Sequence, residues 1–240
     1  YLYKLTLRFF SFKLVFHASS LPLPGPFILA APPHGVFTFG HWCMFGALHR
    51  LGVTIRGLVA SVVLWAPIVR QVCVAVGAID ASRHVARTYL EAGWPIGVAP
   101  GGIAEIFEAS RNPPGGGLRE ERVLLRCRRG LARLALSTGC PLVPSYMFGS
   151  ADVLGAPLVD SAGVLRRLSR RLRVAVFLFN PWPRRVPIVC VVGEPIAVEK
   201  KEHWTDEDVE EIMEELTQRV KELYDTYKDA YGTDKALVVM

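Results

Sequence analysis

The chain has 240 residues, of which 51% are hydrophobic and 21% charged, with a formal net charge of +6. This composition excludes a disordered chain, which would be poor in apolar residues. Neither Gly nor Pro recurs at a fixed period, which excludes collagen and simple repeats. The length suits one large domain or two small ones with a sizeable core. Five cysteines, an odd number without a Cys-x-x-Cys pair, argue against a disulfide framework or a zinc site of usual spacing and indicate a reducing compartment.

Charge is distributed unevenly along the chain. Residues 110–185 hold fourteen Arg and four acidic residues, whereas residues 199–240 hold six Lys or Arg and thirteen acidic residues. The basic segment suits nucleic acid, anionic lipid head groups or a phosphorylated cofactor, with a solvated basic face as the alternative. Because finger spacing, an RNP-type motif and a helix-turn-helix pattern are all absent from the sequence, we predict no nucleic-acid partner.

At the N-terminus, apolar residues are interleaved with Lys4, Arg8 and Lys13 and with no acidic residue. This mixture favours a segment lying in the membrane interface over an edge element that packs on the core. The most apolar run, Gly57–Val69, is shorter than the about 20 residues that span a bilayer, and it contains Pro67. We interpret it as a buried strand followed by a turn or by a surface-inserted segment.

Strand and helix patterns alternate after the N-terminal stretch. Apolar runs bounded by Pro and Gly predict strands at residues 27–31, 53–60, 94–99, 142–148 and 188–192. Helices are predicted at residues 36–51, 82–92 with Ser82 as N-cap, 129–138 ended by Gly139, and from Thr205 onward. Residues 111–117, 152–160 and 180–187 are predicted to be irregular. This alternation predicts an α/β fold, a sheet flanked by helices.

Three parts follow from these patterns. Residues 1–26 form an amphipathic, membrane-proximal segment, residues 27–200 form the α/β core, and residues 201–240 form an amphipathic helix that packs on the core. The acidic side chains of that last helix are expected to face solvent.

The first candidate for chemistry is the turn Pro33-His34-Gly35 between a predicted strand and a predicted helix. Reactive groups of α/β proteins are commonly exposed at such junctions. A histidine there, with an ordinary pKa of about 6.5, can act as a general base near neutral pH. Gly35 leaves room for a substrate to approach the backbone. A capping or packed histidine is the alternative.

The second candidate is the segment Pro100-Gly101-Gly102-Ile103-Ala104-Glu105. Two glycines after a strand allow backbone N–H groups to face a bound anion. Glu105 follows closely enough to orient a histidine or to meet a substrate hydroxyl, although a plain strand-to-helix turn would explain the same residues.

A third feature is a group of three arginines, Arg126, Arg128 and Arg129, which precede a predicted helix. Helix N-termini favour anions, and the planar guanidinium binds phosphate well. The group is therefore a candidate for binding the phosphates of coenzyme A. A Ser-His-acid hydrolase is disfavoured because no Gly-x-Ser-x-Gly elbow exists, and the P-loop pattern is absent too.

The order of these motifs resembles the type-2 diacylglycerol acyltransferase family, which includes monoacylglycerol and wax-alcohol acyltransferases. The similarity covers about residues 10–200 and is specific because five modest motifs occur in order at the family's spacings. The motifs are PPHGVFTFG (Pro32–Gly40), PGGIAEIF (Pro100–Phe107), RCRRGLARLAL (Arg126–Leu136), PLVPSYMFG (Pro141–Gly149) and VVGEPI (Val191–Ile196).

The resemblance implies a glycerolipid-acyltransferase-like mixed sheet flanked by helices, associated with a membrane. It also implies transfer of a fatty acyl group from acyl-CoA, as co-substrate, to an acceptor hydroxyl at the endoplasmic reticulum or lipid droplets, with no metal or redox cofactor. His34 corresponds to the family's motif histidine, and Gly101, Gly102 and Glu105 correspond to its Gly-Gly-x-x-Glu segment.

Two departures from family patterns affect the site. Related glycerolipid acyltransferases carry His-x4-Asp, but Phe39 stands five residues after His34, so Glu105 is the candidate to orient the histidine. Pro32 stands where many members have the first histidine of their motif, which puts an essential role of that first histidine in doubt. The family's N-terminal membrane hairpin would lie before Tyr1, so we expect a truncated chain.

These features predict a diacylglycerol O-acyltransferase of triacylglycerol biosynthesis with direct transfer from the thioester. His34 is the general base, and backbone N–H groups near Gly35, Gly101 and Gly102 meet the oxyanion. Acyl-CoA, a neutral-lipid acceptor and a membrane surface are the expected partners, and assembly with further copies stays open. The alternatives are a monoacylglycerol, wax-alcohol or lysophospholipid acyltransferase, or a non-catalytic acyl-CoA or lipid-binding protein.

Overall fold

A computed structural model describes residues 2–17, 25–65, 67–102, 104–105, 120–154, 167 and 182–240. Within these ranges the α-helices are α1 Leu2–Phe9, α2 Phe39–Arg50, α3 Pro67–Ala75, α4 Arg83–Glu91, α5 Gly130–Thr138 and α6 Asp206–Tyr231. The strands are β1 Lys13–Phe16, β2 Ile28–Ala30, β3 Arg56–Val59, β4 Ile79–Asp80, β5 Ile96–Val98, β6 Glu120–Val123, β7 Leu142–Phe148, β8 Val189–Val192 and β9 Ala236–Val239. Short 3₁₀ turns cover Ser61–Trp65 and Ser150–Asp152.

Seven strands form one mixed sheet in the order β1-β8-β7-β2-β5-β3-β4. The pair β7 and β8 is antiparallel, and the other neighbours are parallel. A second, two-stranded sheet joins β6 and β9 in parallel. The predicted mixed α/β sheet with flanking helices is therefore confirmed.

Helices cover both faces of the seven-stranded sheet. On one face, α4, α5 and α6 pack in a core cluster that includes Leu90, Leu134 and Leu216. On the other face, α1 and α2 contribute to a second cluster around Phe10 and Met44. Strand β7 is buried along its whole length because alternate side chains enter these two clusters.

Local sequence signals account for several element ends. Helix α6 begins with a capping box in which Thr205 and Asp208 exchange side-chain-to-backbone hydrogen bonds, and α5 ends at Gly139 with φ +72°. In the segment Gly57–Val69 the predicted strand and turn are confirmed as β3 and the 3₁₀ turn, but β3 is only partly buried and a helix, α3, begins at Pro67. The predicted irregular residues 111–117 and most of 152–160 lie outside the described residues.

The N-terminal stretch combines a helix with an edge strand. Helix α1 leads to Phe10, which is buried, and β1 pairs in parallel with β8 at the edge of the main sheet. In the described part of the chain, no helix is both long and apolar enough to cross a bilayer. The division at residues 26 and 200 stays a prediction.

Candidate active site

The two sequence motifs meet where adjacent parallel strands end. Strands β2 and β5 are neighbours, and His34 follows β2 while Gly101 and Glu105 follow β5. Backbone bonds continue the register beyond the strands, from Ala31 N–H to the Val98 carbonyl at 3.0 Å. Because parallel strands deliver their carboxyl ends to one edge, the residues after them lie together.

His34 is buried, with 6% of its surface exposed, and its ring is held by backbone. Its Nε2 lies 2.9 Å from the carbonyl oxygen of Gly102, which can only accept, so Nε2 carries the proton. Nδ1 then carries the lone pair, and it is buried without a hydrogen-bond partner among the described residues. Burial is the main cause that lowers the pKa of His34, so the ring is neutral near pH 7.

Glu105 holds the backbone of the histidine rather than its ring. Its Oε2 accepts from the His34 backbone N–H at 3.3 Å and lies 3.9 Å from His34 Nε2, too far for a hydrogen bond. Its Oε1 is buried and has no hydrogen-bond partner among the described residues. Burial raises the pKa of Glu105 from 4.5 to about 7, so the carboxyl changes charge near neutral pH.

Close approaches require glycine on both sides of this pair. A Cβ on Gly101 would lie 2.3 Å from the carboxyl carbon of Glu105. A Cβ on Gly35 would lie 2.6 Å from the Ser150 carbonyl oxygen, and Gly35 has φ +67°. Gly101 therefore allows the Glu105 side chain to fold back on its own turn, and Gly35 allows the first turn to pack against the residues that follow β7.

The three predicted phosphate-binding arginines have different surroundings. Arg128 donates from Nη2 to the Gly101 carbonyl and acts electrostatically on both His34 and Glu105, so it belongs to the site. Arg126 is exposed. Arg129 is half-buried and turns toward α6, where its nearest ion pair is with Glu210 at 2.9 Å. Their role toward coenzyme A stays a prediction.

Two cavities flank the site on opposite faces of the sheet. One of about 480 Å³ lies between the sheet, α4 and α5, is mainly apolar, and has Arg128 in its lining. The other, of about 110 Å³, lies between the sheet, α2 and α3. Among the described residues, no three His, Cys, Asp or Glu side chains are grouped so as to hold a metal ion.

Sequence reasoning did not anticipate two features that position His34. The Gly102 carbonyl, rather than a carboxylate, holds the imidazole, and the Ser150 hydroxyl donates to the His34 carbonyl at 3.2 Å. No local pattern marks either contact, because both join distant segments. His41 is a core residue whose Nε2 donates to the Ala31 carbonyl at 2.7 Å, and burial lowers its pKa to about 3.

Comparison with known proteins gives consistent matches. The family profile described as "Diacylglycerol acyltransferase" matches residues 1–240. Human "Acyl-CoA wax alcohol acyltransferase 2" is 27% identical, with 86% of this chain and 67% of that protein covered. "Diacylglycerol O-acyltransferase 2" of Danio rerio is 27% identical over 95% of this chain and 68% of that protein. "Diacylglycerol O-acyltransferase 2B" of Umbelopsis ramanniana is 27% identical over 88% of this chain and 66% of that protein.

A solved structure shares the fold. The 1-acyl-sn-glycerophosphate (LPA) acyltransferase PlsC of Thermotoga maritima superimposes with a TM-score of 0.52 at 19% sequence identity. The match covers 92% of this chain and 78% of that one. At this identity the similarity concerns the architecture, a glycerolipid-acyltransferase-like α/β sheet, and not the substrate.

Proposed function

The chain belongs to the diacylglycerol acyltransferase family and is an acyltransferase, and we propose that it esterifies diacylglycerol with acyl-CoA to form triacylglycerol. The observation that carries the proposal is the buried pair of His34 and Glu105 at the carboxyl ends of adjacent parallel strands. Two relatives with diacylglycerol O-acyltransferase names support the choice of acceptor.

In the first step, His34 acts as the general base at Nδ1. The acceptor hydroxyl gives its proton to this nitrogen while its oxygen attacks the thioester carbonyl. The Gly102 carbonyl supports the choice of atom, because it keeps the proton of the neutral ring on Nε2. The imidazolium that forms lies 3.9 Å from Glu105 Oε2, whose ionised form stabilises the positive charge. General-base action of this kind contributes roughly 10²–10⁴ in rate.

In the second step, the tetrahedral intermediate collapses and the C–S bond breaks. Its negative oxygen is met by backbone N–H groups near Gly35 or Gly101 and Gly102, and the imidazolium returns its proton to the leaving thiolate. The products are the new ester and free coenzyme A, and no acyl-enzyme forms. The mainly apolar cavity beside Arg128 is of a size that suits an acyl chain. The phosphates of coenzyme A would then bind to the arginines Arg126, Arg128 and Arg129.

A long-chain alcohol is the second candidate acceptor. The observation that favours it is the equally similar human relative named for wax alcohols. Monoacylglycerol requires the same base and thioester site and stays an alternative. A lysophospholipid acceptor is less favoured, because Phe39 stands where the His-x4-Asp motif of such enzymes needs its acid.

The setting of the reaction is part of the same proposal. Both substrates are lipids or carry a lipid chain, which supports a membrane surface of the endoplasmic reticulum or of lipid droplets as the location. We also propose that acyl-CoA is a co-substrate and that the chemistry requires no metal or redox cofactor. Turnover after dialysis against a chelator should then equal turnover before it.

The test is an acyl-transfer assay in microsomes that contain the protein. Labelled oleoyl-CoA is supplied in parallel with diacylglycerol, monoacylglycerol, a long-chain alcohol and lysophosphatidic acid. We expect label in triacylglycerol, and a loss of roughly 10²–10⁴ in the His34→Ala variant. The matched control is His203→Ala, which removes an exposed histidine and should retain activity.

Each other outcome changes the proposal in a defined way. Label in a different ester keeps the chemistry and replaces the acceptor. Normal turnover by a folded His34→Ala variant contradicts the assigned base. Bound acyl-CoA without any labelled product supports the non-catalytic binding protein instead.

A further inference from the structure

Among the residues that the structure describes, exposed apolar side chains are concentrated in the first third of the chain. Of the twelve large hydrophobic residues that are exposed among the described residues, ten lie within residues 5–76. Six of them lie close together in the sequence, in the 3₁₀ turn Ser61–Trp65 and in residues 67–76, which contain α3. They are Trp65, Ile68, Val69, Val72, Val74 and Val76.

Helix α3 has no buried residue at all. Trp65 is 78% exposed and Ile68 is 82% exposed, although both are among the most apolar side chains of the chain. Monomeric soluble proteins seldom expose contiguous apolar patches of this kind, and such patches mark interaction sites. The exposed side chains of this segment therefore mark a candidate interaction site for a partner that accepts apolar side chains.

The charges around this segment have one sign. Residues 1–79 contain six basic residues and no Asp or Glu, whereas residues 80–240 contain 22 basic and 22 acidic residues. Residues 1–79, which build α1, α2 and α3, thus carry a net charge of +6 with no acidic residue, whereas the excess of Arg in residues 110–185 is balanced by acidic residues elsewhere in residues 80–240. Five of its basic residues are exposed in the described structure, namely Lys4, Arg8, Lys13, Arg50 and Arg70.

The three helices lie on one face of the sheet. Helix α1 packs on α2 through the cluster around Phe10, and α3 borders the cavity whose other wall is α2. The exposed apolar residues of α3 and the exposed basic residues of α1, α2 and α3 therefore lie on elements of one face of the sheet. We call this side the helical face, formed by α1, α2 and residues 61–76.

We propose that the helical face docks on a bilayer containing anionic lipids, with Trp65 and the exposed apolar side chains of α3 inserted shallowly among the lipid head groups. A lipid interior accepts Trp65 and Ile68, and the anionic head groups neutralise the surrounding arginines and lysines. Exposed Trp is typical of the membrane interface. A second copy of the chain fits less well, since its helical face would oppose like charges.

The docked orientation would also serve the candidate site. The cavity of about 110 Å³ is bounded by Val72 and Cys73 of α3 and by Phe37, three residues after His34. A lipid acceptor would thus leave the bilayer beside the base. This route of the acceptor into the site rests on the proposed function, whereas docking of the helical face on a bilayer does not require turnover.

Vesicle flotation of the purified protein tests docking without any substrate. One set of vesicles is pure phosphatidylcholine, and the other is an equimolar mixture of phosphatidylcholine and phosphatidylserine. We expect the protein to float mainly with the mixed vesicles and to dissociate as salt is raised, because salt screens the attraction.

Two variants locate the contact on residues 61–76. Ile68→Ser should weaken partitioning roughly tenfold, as loss of a large buried apolar side chain predicts. Arg70→Glu should weaken binding to the mixed vesicles roughly fivefold or more. Its control is Arg87→Glu on α4, an equal change of charge on the opposite face of the sheet, which should float like the wild type.

Both changed side chains are exposed, so circular dichroism should show folded variants. Flotation of Ile68→Ser and Arg70→Glu at the wild-type level overturns the proposal. So does a wild type that ignores the vesicles and sediments as a dimer that Ile68→Ser dissociates. Turnover of the wild type in detergent micelles is measured separately, and its absence with flotation intact contradicts the proposed function alone.

Discussion

Replacement of Glu105 by glutamine should make the protein more stable at alkaline pH and less active. The raised pKa of Glu105, about 7 against an ordinary 4.5, means that the folded chain keeps a proton which the unfolded chain releases. The contribution of Glu105 to the free energy of unfolding therefore decreases as pH rises from 4.5 to 7 and is constant above that window. The full shift corresponds to about 3 kcal/mol.

Glutamine removes this titration and keeps an acceptor for the His34 N–H. The free energy of unfolding of Glu105→Gln, relative to the wild type, should thus rise by about 3 kcal/mol from below pH 4.5 to above pH 7. Urea unfolding followed by circular dichroism at the two pH values measures this difference. Glu214→Gln, an exposed change on α6, is the control and should show little dependence on pH.

Activity should move in the opposite direction. Above pH 7 the ionised carboxylate stabilises the imidazolium of His34, so Glu105→Gln should lower kcat roughly tenfold or more there, and by less at pH 6. A stability difference that is the same at both pH values would refute the buried titration. A loss of kcat that is independent of pH would refute the electrostatic role of Glu105.

Two further predictions concern the neighbouring turn and the arginines. Gly101→Ala should lower kcat more than it raises KM, because the new Cβ would lie 2.3 Å from the Glu105 carboxyl and displace that carboxyl. The control is Ala104→Ser, an exposed change in the same turn. Arg126→Ala should raise the KM for acyl-CoA roughly tenfold at unchanged kcat, as loss of one charge-assisted contact to phosphate predicts. Steady-state kinetics measures both, and an unchanged KM for Arg126→Ala would remove that arginine from the binding site.

Much of the site was accessible from the sequence, because its chemistry lies in short motifs. Gly35 and Gly101 mark turns in which a Cβ would meet neighbouring atoms closely, and His34 and Glu105 each follow a strand within a few residues. Their pairing follows from the neighbouring positions of β2 and β5. The exact partner atoms do not follow, since the His34 ring is bound to the Gly102 carbonyl instead of the Glu105 carboxylate.

The sequence by itself determined the α/β class, the extent of β7, the start of α6 at its capping box and the C-terminal end of α5, because these depend on local periodicity and capping. Only the tertiary structure decided the direction in which the pKa values of His34 and Glu105 shift, since the burial of both side chains depends on several segments packing around them. The tertiary structure alone also distinguished the roles of Arg128 and Arg129. Although the two residues are adjacent, Arg128 contacts the Gly101 carbonyl in the site, whereas Arg129 pairs with Glu210 of α6. Trp65 and α3 show the same limit: their sequence is apolar enough for a core, and only the packed molecule shows that Trp65 is exposed and that α3 has no buried residue.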